Sequence, residues 1–313
     1  MRLLNISFLL MLFAAACNPD TDAVSDREAP LIDKAEGYAE IHPVLGFETA
    51  DEADHLSVKF SVHDPSGINQ IKVGIHSGFD GHSHARLSNE FVPLHVSDIY
   101  SAAASNPAFQ IASGVTSVNI DDVASDIYWE GDRSRIDGNV LAGPYHFSIE
   151  ASDVHGNQTS HADHSIYSTT FILHRPYAPL VTVTNLSDGV LEGEAGQQLA
   201  IEGSIKTGNH ALGSALKFVW IRLTEEGGDE DDHSGHDHRI AAGDLYERSW
   251  GTSTWRKDVT SDGNLSDNAS IDLATILSNE IPLPDNHAHL DLIIWAEDIN
   301  GNITRRTFPV HVH

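Results

Sequence analysis

Two short histidine motifs are the residues of this chain best suited to chemistry. Gly81-His82-Ser83-His84 lies in the first half of the sequence and Gly235-His236-Asp237-His238 in the second, each shortly after a strand-like run. A neutral imidazole is the commonest nitrogen ligand for transition metals, and two imidazoles one residue apart on a loop can hold the same ion. The repetition of the motif favours a metal-handling protein over a chance cluster of histidines.

The N-terminal residues predict an export signal followed by a lipid anchor. Residues 6–13 are almost wholly apolar, and the small residues Ala14-Ala15-Ala16 precede Cys17, the only cysteine in the chain. This apolar run is too short to span a bilayer. The arrangement is similar to a bacterial lipobox, in which the cysteine is lipidated; ordinary secretion is the alternative. We expect a signal peptide over residues 1–17, lipid attachment at Cys17, a tether over residues 18–30, and a cell-envelope location, with the outer membrane favoured.

The charge and cysteine content limit both the partners and the metal ligands. The chain has 18 Lys and Arg against 46 Asp and Glu, a net charge of −28. This charge argues against nucleic acid as a partner and attracts cations. With Cys17 committed to the anchor, no disulfide can form, and a metal site must use His, Asp, Glu, backbone or water.

Alternation of apolar and polar residues dominates the sequence and predicts an all-β fold. Residues 56–63, 71–75 and 145–151 each alternate, as half-buried strands do, while short helical turns are expected near 97–105 and 273–278. The segment ASDVHGN at 151–157 matches AEDINGN at 296–302, and the proline-rich residues 176–179 separate the two halves. We predict two tandem immunoglobulin-like β-sandwich domains, at residues 31–175 and 176–313.

The first half resembles a known family. Residues 75–84 (IHSGFDGHSH) and 143–147 (GPYHF) resemble the lipoprotein family of domain of unknown function 4625. The resemblance covers most of residues 31–175. It implies a lipid-anchored envelope protein with an Ig-like domain and a His-rich loop after an early strand. Residues 176–313 are interpreted as a diverged second copy. The activity of the family is open, so the resemblance bears on location and fold more than on function.

The predicted topology brings histidines of the first half together. The third and sixth strands of an Ig-like sandwich are antiparallel neighbours, so His76 and His146 should lie close together on one outward face. The loop after His76 adds Asp80, His82 and His84. These residues predict a tetrahedral zinc site, in which Asp80 is a ligand or orients an imidazole. The alternative is that the histidines are ordinary solvated residues.

A second site is predicted in the other half with a looser ligand set. Ile221 is assigned to the position of His76, and Asp291 to that of His146. The acidic loop 225–233 and the second histidine motif follow the strand. The candidate ligands are His233, His236, His238, His289 and Asp291. Calcium competes with zinc here because carboxylates are its usual ligands, and a merely solvated acidic loop is the alternative. Five other histidines are expected to face solvent, namely His155, His161, His164, His311 and His313.

Three classes of function are compatible with these features. The first is an envelope lipoprotein that captures or buffers zinc, with copper(II) as the alternative metal and an outer-membrane transporter as a candidate partner. The second is an adhesion module for glycans or proteins, in which metal is only structural. Its aromatic platform would be Trp220, Trp250, Trp255 and Trp295, although Trp220 and Trp295 fit core positions better. The third is an enzyme, but no complete catalytic motif occurs, and we predict a non-catalytic protein.

Overall fold

The computed structural model describes residues 27–79, 90–226, 244–278 and 281–313. Within these ranges β-strands predominate, and the one α-helix is Leu273–Leu277 (α1), whose first turn is capped by the Asp272 carboxylate. No helix in the described ranges is long and apolar enough to cross a membrane. The expected helical turn near 273–278 is confirmed. The one expected near 97–105 is wrong, because residues 96–101 form an edge strand with alternating burial.

The first half forms a β-sandwich of two main sheets. One sheet has the order β1-β4-β8 and the other β2-β12-β11-β5-β7, with the small pairs β3-β9 and β6-β10 beside them. The strands are Leu31–Asp33 (β1), Phe47–Glu48 (β2), His55–Leu56 (β3), Phe60–His63 (β4), Ile68–Ser77 (β5), Phe91–Val92 (β6), Val96–Ser101 (β7), Ser117–Ile120 (β8), Ile127–Tyr128 (β9), Asn139–Val140 (β10), Gly143–Asp153 (β11) and Tyr167–Leu173 (β12).

The second half repeats this architecture. Its sheets have the orders β13-β16-β19 and β14-β22-β21-β17-β18, with a small pair β15-β20. The strands are Leu180–Val183 (β13), Leu191–Gly193 (β14), Gln198–Leu199 (β15), Gly203–Lys206 (β16), Leu216–Glu225 (β17), Tyr246–Gly251 (β18), Ser270–Asp272 (β19), Ile281–Pro282 (β20), Ala288–Asp298 (β21) and Ile303–Val312 (β22). The fold is therefore a tandem of Ig-like β-sandwiches.

Alternating burial explains how each sheet packs. On β5, Ile71 and Val73 are buried against the core, while Lys72 lies on the outward face and pairs with Glu150 of β11 at 3.0 Å. Such alternation gives each strand one core face and one outward face. Each fully buried aliphatic or aromatic side chain contributes about 1.5–3 kcal/mol to folding.

The repeated segments 151–157 and 296–302 form the same turn after equivalent strands. Asp153 accepts hydrogen bonds from the backbone N–H of His155 and Asn157, at 2.9 and 2.8 Å. In the second sandwich, Asp298 accepts bonds of the same length from the residues at the same spacing, Asn300 and Asn302. An aspartate that satisfies the backbone of its own turn stabilises that turn. The repeated sequence therefore serves structure rather than ligand binding.

Direct contacts join the two sandwiches. The backbone N–H of Ile303 donates to the carbonyl of Ala142 at 3.0 Å, and the Ala142 N–H donates to Oδ1 of Asn302 at 3.2 Å. The Phe79 ring packs edge-on against Trp255, with 4.9 Å between the ring centroids. The junction thus combines hydrogen bonds with aromatic packing.

Two tryptophans of the second sandwich lie in this apolar contact. Trp220 and Trp295 are 2% and 5% exposed, and they extend the hydrophobic cluster of the first sandwich. Their assignment to the core is confirmed. An aromatic platform made of all four tryptophans is therefore wrong, since burial in the core removes these two rings from a ligand.

We expect an ionic contact across the junction to lose its effect in acid. Glu48 accepts hydrogen bonds from His174 at 2.8 Å and from Arg306 at 2.6 Å. The hydrogen bond from His174, together with the positive charge of Arg306, lowers the pKa of Glu48. A lowered carboxyl pKa stabilises the fold above the ordinary glutamate pKa, and the effect disappears as the pH falls through the folded-state value.

Glu48→Gln should therefore destabilise the protein at pH 7 but not in strong acid. The loss at neutral pH should be on the order of 1 kcal/mol, because a partly exposed carboxylate is screened by solvent. Denaturant unfolding of both proteins at pH 7 and at about pH 2 measures the difference. A difference that is the same at both pH values would contradict the role of the ionised carboxylate.

Candidate metal centre

The structure places His76 and His146 opposite each other on neighbouring strands. They are register partners on the antiparallel strands β5 and β11, and their ring centroids are 5.1 Å apart. Both side chains are half-buried on the outward face, whereas the adjacent Ile75 and Phe147 are fully buried. The predicted pairing of these strands is confirmed. Two imidazoles on a rigid sheet at this spacing can approach one metal ion.

Neighbouring groups restrict the orientation of the His146 ring. Thr170 Oγ1, on the next strand β12, lies 3.2 Å from Nδ1 of His146. A Cβ atom on Gly78 would lie 3.0 Å from Nε2 of His146, so a larger residue at position 78 would press on the ring. A partner on one ring nitrogen orients the other, as outer-shell partners do at metal sites. Nε2 of His146 therefore points towards Gly78, directly after the end of β5.

The chain is held firmly at the point where the first histidine loop begins. Phe79 is 3% exposed and packs edge-on against Tyr145 as well as Trp255, with 5.4 Å between the Phe79 and Tyr145 centroids. The predicted ligands that follow Phe79, namely Asp80, His82 and His84, lie outside the described residues. Among the described residues, no three His, Cys, Asp or Glu side chains are arranged to hold a metal ion.

The predicted alignment of β17 in the second half with β5 in the first half is wrong by three residues. Ile221 is buried and lies opposite Ile294, whereas Asp291 lies opposite Thr224. Thr224, rather than Ile221, therefore takes the position that His76 has in the first sandwich. The assignment of Ile221 from the sequence has no long-range pairing to fix it. The cross-strand pairing with β21 sets the alignment instead.

The structure describes only some of the other predicted ligands of the second half. His233, His236 and His238 lie outside the described residues. His289 and Asp291 lie on the outward face of β21, and His289 pairs with His311 of β22. His311 lies in a paired strand rather than in a fraying end, because β22 continues to Val312 and pairs with both β21 and β14, although 37% of its side chain is exposed. The His-x-His spacing at 287–289 and 311–313, repeated on two strand-like runs, was the signal that could have found this pair.

The remaining loop histidines behave as expected. His161 and His164 are exposed in the turn after β11, as is His155. His174 is buried, and it acts in the structural contact with Glu48 described above.

Several solved structures are similar to this chain at low scores. The fibronectin(III)-like modules of Clostridium thermocellum CbhA match with 9% identity, over 90% of this chain and 94% of that chain, with a TM-score of 0.22. A tetra-tandem repeat from the extending region of a large adhesion protein matches with 14% identity over 91% and 50%, with a TM-score of 0.26. Red sea bream transglutaminase matches with 10% identity over 92% and 31%, with a TM-score of 0.28. These scores support no conclusion about function.

No curated protein matches the sequence. A family model described as domain of unknown function, DUF4625, matches residues 15–166. The match includes both β5 and β11 and the first histidine motif, and the resemblance noted from these segments is confirmed. The interpretation of residues 176–313 as a second copy stays a prediction. Over residues 15–166, this chain is therefore similar to the DUF4625 family.

Proposed function

We propose that this protein captures or buffers a transition-metal ion at the bacterial cell envelope, with zinc favoured and copper(II) as the alternative. The observation that supports the proposal is the facing pair His76 and His146, at the sheet end from which the chain continues to the first histidine motif. In this proposal, a lipid on Cys17 holds the protein at the membrane. Delivery of the ion to an outer-membrane transporter is the corresponding partner hypothesis.

The proposed site combines a rigid part with an adaptable part. His76 and His146 are held on paired strands, so little entropy is lost when they bind an ion. Asp80, His82 and His84 follow His76 by four to eight residues and would complete a tetrahedral site. Because neutral imidazole is the ligand, affinity should fall as the pH drops through the histidine range, about 6.5.

The rest of the chain supports binding rather than catalysis. The net charge of −28 raises the local concentration of cations around the protein. The second histidine motif, with His233, His236 and His238, would add capacity for zinc or calcium as a looser site, which suits buffering. The side chains singled out here are ligands, and none is paired as a nucleophile with a base. We therefore infer a non-enzymatic role.

Metal retention by the chain starting at Asp20 tests the proposal. The protein is exposed to zinc or copper(II), dialysed, and analysed for metal content and affinity. We expect His76→Ala/His146→Ala and His82→Ala/His84→Ala each to weaken zinc binding at the first site by at least about 100-fold, since loss of an outer-shell partner alone costs 10–100-fold.

The matched control is Lys72→Ala/Glu150→Ala. This pair also lies opposite each other on the outward face of β5 and β11, but it carries no imidazole. It should leave metal binding unchanged, which separates ligation from disturbance of the sheet. Binding that is unaffected by both histidine variants would overturn the site, and no binding by the unmodified chain would favour the adhesion alternative.

A further inference from the structure

Four histidines and one glutamate lie together at one end of the second sandwich. His289 of β21 is the register partner of His311 on β22, and His311 is in turn the partner of Glu192 on β14. The three side chains therefore form a row across three adjacent strands. His287 and His313 lie two residues from His289 and His311, which places them on the same outward side of the sheet. We call these five residues the histidine grid.

The side chains of the histidine grid are in mutual contact. The rings of His289 and His311 have centroids 4.6 Å apart, and those of His287 and His313 are 6.4 Å apart. Glu192 Oε2 lies 2.5 Å from Nε2 of His313, and Glu192 Oε1 lies 4.0 Å from Nδ1 of His311. Imidazoles and a carboxylate at these distances form a ligand set of nitrogen and oxygen, the type that Zn²⁺ and Cu²⁺ prefer.

We propose that the histidine grid is a transition-metal site, for Cu²⁺ or Zn²⁺, in which His289 and His311 are the principal ligands and Glu192 is the third. The site goes beyond the proposed function because it needs neither the first sandwich nor the two histidine motifs. It also replaces Asp291 by His311 as the partner of His289, since Asp291 lies opposite Thr224 and Pro309 instead.

The present side-chain positions can change to accept an ion. The described residues include no group of three ligands already arranged around one centre, and in the histidine grid the Glu192 carboxylate contacts His313. The side chains of His311, His313 and Glu192 are 37%, 58% and 43% exposed. Exposed side chains change rotamer readily, while the backbone row across β21, β22 and β14 keeps the ligands within reach.

Copper and zinc binding by a chain without the first site tests this proposal. Cu²⁺ binding is followed by electron paramagnetic resonance and calorimetry. The background variant also lacks the second histidine motif, and carries alanine at His76, His82, His84, His146, His233, His236 and His238. We expect this background to bind about one ion at the histidine grid, with nitrogen hyperfine coupling from imidazole. Adding His289→Ala/His311→Ala should abolish that signal, and Glu192→Gln should weaken binding about 10-fold.

The control is His161→Ala/His164→Ala in the same background, since both histidines are exposed in the turn after β11 and belong to neither site. Persistence of the ion in this control and its loss in His289→Ala/His311→Ala support the proposal. An ion that persists in His289→Ala/His311→Ala overturns it. If the alanine variant unfolds, His289→Asn/His311→Asn keeps side chains of similar polarity and is judged by the same criterion. The proposed function fails separately if the unmodified chain binds no more metal than the background variant does.

Discussion

Phe79→Ala is expected to destabilise the protein by about 3–5 kcal/mol, as truncation of a buried phenylalanine does when its cavity stays open. Phe79 is 3% exposed and contacts Tyr145 in its own sandwich and Trp255 in the other. A Cβ on Gly143 would lie 3.0 Å from its ring, so the backbone also approaches closely. Loss of the ring leaves a cavity at the junction that neither rigid sheet can fill. Guanidinium unfolding of both proteins measures the difference.

Phe109→Ala is the control for this substitution. Phe109 is half-buried and packs against Tyr100 of the first sandwich, with 5.0 Å between the ring centroids. Its removal should cost about 1–2 kcal/mol, since less apolar surface is withdrawn from water. If the two variants lose a similar free energy of unfolding, the contact of Phe79 with both sandwiches does not add to stability. A further readout is zinc affinity under native conditions, which Phe79→Ala should weaken because the chain before Asp80 is no longer held.

Asn302→Ala is expected to destabilise the protein by about 2–4 kcal/mol, because it removes one hydrogen bond inside a buried turn and one between the sandwiches. The Asn302 side chain is 0% exposed. Its Nδ2 donates to Asp298 at 3.0 Å, and its Oδ1 accepts from the Ala142 N–H at 3.2 Å. Alanine leaves the buried Ala142 N–H without this acceptor, and a buried unsatisfied donor is costly. Thermal and denaturant unfolding measure the loss.

Asn157→Ala provides the comparison within the same molecule. Asn157 has the same place in the turn of the first sandwich and donates to Asp153 at 2.6 Å, but it is partly exposed. Its replacement should cost about 1 kcal/mol, the typical contribution of one hydrogen bond whose partners water can reach. Equal losses for the two asparagines would show that the contact with Ala142 contributes nothing.

Much of the fold follows from local sequence pattern. Alternation along residues 71–75 and 145–151 identifies two strands because a strand that is buried on one face needs an apolar residue at every second position. The repeated turn at 151–157 and 296–302 is recognisable because its aspartate accepts hydrogen bonds from the backbone N–H of residues two and four positions later in the same turn. The pair His76 and His146 could also be predicted, because the strand order of an Ig-like sandwich makes their two strands neighbours.

Long-range pairing depends on the folded structure, whereas residue type and local period can be read from the chain alone. They establish the strands, the outward position of His76 and His146, and the presence of a single cysteine that could supply a thiolate. The sequence does not determine that Thr224 lies opposite Asp291. Sliding the strand that contains Thr224 by three residues gives an alignment that fits the sequence equally well, and only the pairing with β21 separates the two. The sequence also does not place His311 between His289 and Glu192, because Glu192 lies 119 positions before His311 in the chain. Only closure of the second sheet brings those residues together.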